Sequence, residues 1–326
     1  PAGNVSEAST AQSVVIDTTA PTVPTINSIT TPNSDSTPTI TGTGITGDTL
    51  TLYSGSDSIG TATVADSIWS ITTSTLADAT HSITAKSTDP AGNVSEASTA
   101  QSVVIDTAGP TAVFSAATDD VGSVTGALSS GDTTDDTSLV LSGTNESGST
   151  VQVYNGSTLV AAATVSGTSW SYAATIANGI TYQFNVKETD SAGNVSSATT
   201  NFTVIGDNTV PTMVITSAEV SDGATSADST LALTFTSSEA TTNFAVGDIT
   251  VSNGVISSFA STSSTVYTAT FTPSSDGAAA IDVAGSTFTD AVGNNNTAAT
   301  QFNWSYDSTV PTMVITSAEV SDGATS

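Results

Sequence analysis

The eighteen residues PAGNVSEASTAQSVVIDT stand twice in this chain, at 1–18 and at 90–107, without one substitution. The seventeen residues VPTMVITSAEVSDGATS also stand twice, at 210–226 and 310–326. Self-similarity at a fixed spacing marks a modular array. The spacings, 89 and 100 residues, are far too long for a solenoid repeat and match a small β-sandwich domain. The chain reads as beads on a string, opening and closing in the middle of a bead.

The 326 residues have room for three such beads, each large enough to bury a modest core of its own. The repeats place them at 19–107, 108–207 and 208–307. Residues 1–18 read as the last strand of a preceding module and 308–326 as the start of a following one. Every junction has one form: DTTAP at Asp17, DTAGP at Asp106, DNTVP at Asp207 and DSTVP at Asp307. Proline fixes its own φ and biases its predecessor toward extended geometry, so these links are short and stiff.

Helical periodicity is missing. Short alternating runs rich in Thr, Val and Ile are separated by Gly, Asp, Asn and Ser, the pattern of strands and turns. Leu50 and Leu52, then Ile83 and Ala85, fall on alternate positions of the first module; Leu139 and Leu141, Val151 and Val153, and Phe184 and Val186 do so in the second. The third has Leu231, Leu233 and Phe235, then Tyr267, Ala269 and Phe271. Such alternation describes antiparallel sheet with one face buried. The expected fold class is all-β, with tandem Ig-like Greek-key sandwiches in an extended array. Modules one and two align at an offset of 101, which pairs Trp69 with Trp170 and Asn93 with Asn194. A single Trp per sandwich reads as a core plug rather than a sugar-stacking platform.

Thirty acidic residues face two lysines and no arginine, a formal charge of −28. Such a chain repels nucleic-acid phosphates and anionic membranes, and no apolar run approaches the length of a membrane span. There is no cysteine, which excludes disulfides and thiolate chemistry.

The positions of the acids carry more than their number. In a Greek-key sandwich the turns at the end where the chain enters gather near the incoming linker. The late turns read DPAGN (Asp89), DSAGN (Asp190) and DAVGN (Asp290); the early turns read GITGD (Asp48), TNESG (Glu146) and SSEAT (Glu239). Three acids are therefore expected at each junction: Asp17, Asp48 and Asp89; Asp106, Glu146 and Asp190; Asp207, Glu239 and Asp290. Two carboxylates about 5 Å apart repel by roughly 3 kcal/mol at an effective dielectric of 20. Three such pairs cost on the order of 10 kcal/mol, a small domain's whole stability. With two lysines in the chain, the acids must splay, take up protons or hold a cation. An all-oxygen donor set on flexible turns points to Ca2+ rather than Mg2+. The first site is the loosest fit, because Ile45 stands in the slot aligned with Glu146.

A second acidic set precedes the first long strand of each module. Asp35, Asp136 and Asp228 align, with Asp132, Asp135 and Asp222 nearby, and Asx-turn chemistry accounts for them more readily than metal. The pair Asp119–Asp120 is a further, weaker ion candidate. His81, the single histidine, reads as an exposed turn residue, and no serine is expected to have a base beside it. The N-x-S sequons at Asn4, Asn93 and Asn194 belong to the late-turn motif.

The pattern GSTVQVYNG…TSWSY…D-x-AGN-x-S…DTxxP resembles the bacterial Ig-like domains of giant biofilm-associated (Bap-like) and RTX adhesins. The third module resembles another Ig-like subtype of the same proteins. The resemblance implies a calcium-stiffened extender of a secreted bacterial surface protein serving adhesion and biofilm formation, with the junction acids as ligands except where Ile45 departs from the pattern; an enzyme is the poorest reading, for want of any nucleophile–base pair. Its partners are neighbouring modules, with lateral self-association possible along exposed edges. The alternatives are a self-assembling surface fibre or sheath, and a module that binds a glycan, ice or a host protein.

Overall fold

The computed structural model describes residues 2–316, together with 318 and 323. The described residues form three two-sheet sandwiches in succession, and the single helical turn among them is the 3-10 segment Val246–Asp248.

In the first sandwich, Thr25–Ile26, Thr39–Thr43 and Ile68–Thr72 form one sheet; Asp57–Thr63, Thr49–Ser54, Ala79–Thr88 and Gln101–Ile105 form the other. The second has five strands in each sheet and the third has four. Alternation does what it must for a half-buried sheet. Leu50, Leu52, Ile83 and Ala85 are buried in one core, Leu139, Leu141, Val151, Val153, Phe184 and Val186 in the next, and Leu231, Leu233, Phe235 and Phe271 in the last. The pairing is antiparallel except at one edge of each sandwich, where the first has a single parallel bridge between Asn33 and Ile105. Thr133–Thr134 runs parallel to Phe202–Gly206, and Ala224–Ser226 runs parallel to Phe302–Tyr306. In each case the opening segment of the module crosses to the second sheet and lies beside its last strand.

The tryptophans are core plugs. Trp69 is 3% exposed and Trp170 2%, and each donates its indole N–H to a backbone carbonyl, of Thr43 and of Val113. Each sits directly across the sheet from a glycine, Gly42 and Gly143. A Cβ at either glycine would strike the indole and a carbonyl of the neighbouring strand. The indole therefore occupies space that only glycine leaves free.

The exact repeats adopt different states. Val103 and Ile105 are buried in a strand paired with Ala79–Ile83, whereas Val14 and Ile16, in the identical sequence, are exposed and unpaired. Met213 and Ile215 are core residues, and Met313 and Ile315 are exposed. A strand needs a sheet to receive it, and local propensity alone does not supply one. The expected start of a following module lies partly outside the described residues.

Candidate metal centre at the module junctions

Each late turn is built around its aspartate. Asp190 Oδ1 accepts the backbone N–H groups of Ala192, Gly193 and Asn194 at 2.8–2.9 Å. Asp290 does the same for Val292, Gly293 and Asn294, and Asp89 for Ala91 and Asn93. The asparagine that closes the turn then works in two directions. Its amide donates to the turn aspartate and to the backbone carbonyl of the linker aspartate: Asn93 to Asp89 and Asp17, Asn194 to Asp190 and Asp106, Asn294 to Asp290 and Asp207. This is the physical content of the D-x-x-G-N motif, and it accounts for the asparagines without glycans. The Asn93 amide, opposed by desolvation and aided by backbone N–H groups, leaves the Asp89 pKa lowered. At Asp190 desolvation pushes upward, but the bonds from Asn194, Gly193 and Ala192 outweigh it and the pKa is again lowered.

The preceding module grips the linker from the other side. Asp78 accepts the N–H and hydroxyl of Thr107, Asn178 exchanges bonds with Asn208 and Thr209, and Asp276 accepts from Ser308 and Thr309. The Ser308 N–H, helped by the two hydroxyls, holds Asp276 below its ordinary pKa. The sequence reading missed these three residues. Their signal was there, a polar turn just before a strand in each module, but nothing in it pointed at a linker some thirty residues away.

The structure brings one of the three expected acid sets tightly together. Asp207, Glu239 and Asp290 each offer an oxygen, all within 4.8 Å of one another. Asp290 is buried and the other two are half-buried. Glu239 Oε2 is buried without a hydrogen-bond partner. Desolvation, then the neighbouring charges of Asp207 and Asp290, raise the Glu239 pKa. The fit to a hard cation is good: all donors are oxygens, close together, and one is buried without a hydrogen-bond partner.

The other two sets are arranged differently. Asp17 is exposed, and the first module's early-turn Asp48 is buried and accepts the hydroxyl of Ser87 at 2.8 Å. In the second module Glu146 is exposed. Its backbone N–H, not its carboxylate, is what reaches inward, and it donates to Glu188. Glu188 is fully buried, accepts also from Ser149, and leaves Oε2 without a partner. The two modules have exchanged acid and hydroxyl: Asp48 and Ser87 in the first occupy the aligned positions of Ser149 and Glu188 in the second. Reading the turn alone assigned the acid to Glu146 because Glu188 lies on the strand, where alternation marks it as a core position.

Two smaller expectations are corrected. His81 lies half-buried in the strand Ala79–Thr88, not on an exposed turn. Ser54 does have a base beside it, since its hydroxyl bonds His81 Nδ1 at 2.9 Å while Nε2 bonds the carbonyl of Ala77. The third partner is thus a backbone carbonyl, not the carboxylate of a hydrolytic triad.

A family model described as a bacterial Ig-like domain matches residues 26–107 and again 111–207, more than half of the chain. The chain belongs to the bacterial Ig-like domain family. A second model with the same description matches the third bacterial Ig-like module, at 207–306. A comparison with curated proteins finds none that matches. Among solved structures, the fibronectin(III)-like modules of Clostridium thermocellum CbhA are 14% identical over 56% of this chain and 94% of that one, with a TM-score of 0.35. A biofilm-associated protein BSP domain is 18% identical over 59% of this chain and 29% of that one, at 0.22. Invasin, a bacterial integrin-binding protein, is 13% identical over 87% of this chain and 59% of that one, at 0.34. At these scores the bacterial Ig-like array draws no functional argument from the likenesses.

Proposed function

We propose that this chain is a spacer region of a bacterial surface protein, whose bacterial Ig-like modules hold an adhesive part away from the cell and whose junctions are stiffened by Ca2+. The observation that carries the reading is the meeting of Asp207, Glu239 and Asp290 at a linker, with Glu239 Oε2 buried and bare. An ion held there joins a linker residue to two turns of the following module. The linker is already clamped by Asn294 on one side and Asn178 on the other. The cation would neutralise charge that otherwise drives the turns apart, turning a hydrogen-bonded joint into a rigid one. In this reading Asp207, Glu239 and Asp290 supply the ligands at the third module. At the second, Glu188 is the buried carboxylate that meets the early turn, where the exposed Glu146 was expected.

The site is structural and not catalytic in this account, and its setting is extracellular, where free Ca2+ is abundant. Near-identical repeats fit reach better than recognition, since repeated modules add length without adding a distinct reader. Small-angle scattering of the chain with millimolar Ca2+ and after chelation tests this. The expected result is a larger maximum dimension and a narrower distance distribution with Ca2+. Superimposable curves would overturn the stiffening role.

A further inference from the structure

The second and third modules meet through a contact that the first and second lack. The second module runs 101 residues from Asp106 to Asp207, against 89 from Asp17 to Asp106 in the first. The dozen extra residues fall before Asp136, where Val113–Asp119 turns back into Gly126–Ala127. The turn between those strands, residues 120–125, reaches the late turn of the third module. A Cβ on Gly293 would lie 3.1 Å from the backbone nitrogen of Ser123, and 3.2 Å from that of Val124 and from Asp135 Oδ2. A Cβ on Gly122 would lie 3.2 Å from the carbonyl oxygen of Gly293.

Burial follows the contact. Gly293 and Asn294 are buried, whereas Gly193 and Gly92, at the same place in the other two late turns, are exposed, and Asn194 and Asn93 are half-buried. A Cβ on Gly193 would meet one atom of the first module, Ser34 Oγ at 3.9 Å, and a Cβ on Gly92 would meet nothing. Gly122 and Gly293 have φ of +69° and +114°, and neither carries a side chain that would hold the two backbones apart. We propose that the 120–125 turn is a docking element for the late turn of the third module. It makes modules two and three one body and leaves the joint between one and two as the hinge of the array.

Connected modules move against one another unless something between them prevents it. A short linker keeps their facing surfaces at high effective concentration, so a small contact is enough to hold the closed arrangement. The linker here is gripped from both sides, with Asn208 Nδ2 donating to the Asp135 carbonyl and Asn294 to that of Asp207. The 120–125 turn adds a further point of contact, remote from the linker in sequence, and that is what resists rotation about it. The first module is the natural control. Its opening segment lacks the extra turn, and it carries Ser34 where the second has Asp135. The contact is packing of backbone against backbone and needs no ion.

Spin-label distance distributions test this on the 326-residue chain with chelator present, which keeps the result apart from the calcium reading. The chain has no cysteine, so label pairs are placed by Ser58→Cys with Ser157→Cys and by Ser157→Cys with Ser274→Cys, all at exposed positions. The distribution between modules two and three is expected to be narrower than that between one and two. Gly293→Ala is expected to broaden it to the width of the other. Gly193→Ala also puts alanine at a left-handed φ, +97°, with only Ser34 nearby, and is expected to change neither distribution. Deleting 121–124 with Thr125→Gly leaves an Asp-Gly hairpin turn and an untouched late turn, and is expected to broaden the two–three distribution as Gly293→Ala does. Equal widths in the parent chain, or a two–three distribution that stays narrow in the shortened chain, would overturn the proposal.

Discussion

Asn194 reaches back 88 residues to the backbone carbonyl of Asp106, at 2.8 Å. The same amide holds Asp190 Oδ2 at 2.9 Å, so one side chain fixes both the turn and the linker that enters beside it. Asn194→Ala removes both bonds, each with a net worth of about 1 kcal/mol. The second module should lose about 1–2 kcal/mol in urea unfolding. Residual dipolar couplings should show the first and second modules losing their common alignment while the second and third keep theirs.

Glu188 and Glu146 offer a sharper contrast. Glu146→Gln changes an exposed side chain and should alter stability by less than about 0.5 kcal/mol. Glu188→Gln replaces a buried carboxylate that has one bare oxygen. It should raise the melting temperature of the metal-free second module and abolish its Ca2+ dependence. Equal behaviour of the two variants would restore the early-turn assignment.

Gly143 is the tightest test of the core. Adding one methyl group there drives Cβ into the Val113 carbonyl and the Trp170 indole. Gly143→Ala should cost about 1–3 kcal/mol, the usual range for overpacking. Trp170→Ala should cost about 3–5 kcal/mol by leaving a cavity. Calorimetry of the chain should place both losses in the second module alone.

The pH dependence of the metal-free chain has two limbs. Asp135 and Glu239 have folded-state pKa values raised above ordinary ones, Asp135 to about 6 from 3.8. The folded state therefore holds more protons, and stability falls as pH rises through that window and stays lower above it. Asp89, Asp190 and Asp276 are lowered. Their contribution is full above the ordinary 3.8 and is lost as pH falls below it. Thermal melts of metal-stripped protein should peak between the two limbs. Millimolar Ca2+ should remove the Glu239 share of the upper one, whereas a descent untouched by Ca2+ would count against ion binding at the Asp207 junction.

Much of this was legible in the sequence because it is written in periodicity and exact repetition. Alternate positions such as Leu139 and Leu141 specify a buried face, and the two tryptophans at aligned places announce one plug per sandwich. The D-x-x-G-N turns and the linker aspartates marked the ends that meet. What could not be read was direction and reach. Glu188 looks like a misplaced charge on a core strand until Ser149 and the Glu146 N–H are seen above it. Asp135 and Asp136 pass for turn residues, and Asp136 does hold a turn through the Ser138 N–H. Only the packing of Gly122 and Gly293 around Asp135 Oδ2 shows that this carboxylate lies in a joint between modules.

The central claim is that carboxylates at the handover between sandwiches share an ion. A crystal structure of the chain grown with Ca2+, with anomalous differences to identify the element, tests it most directly. The account predicts a calcium peak about 2.3–2.6 Å from oxygens of Asp207, Glu239 and Asp290. Carboxylates turned out into solvent at that junction, with no peak between them, would contradict it.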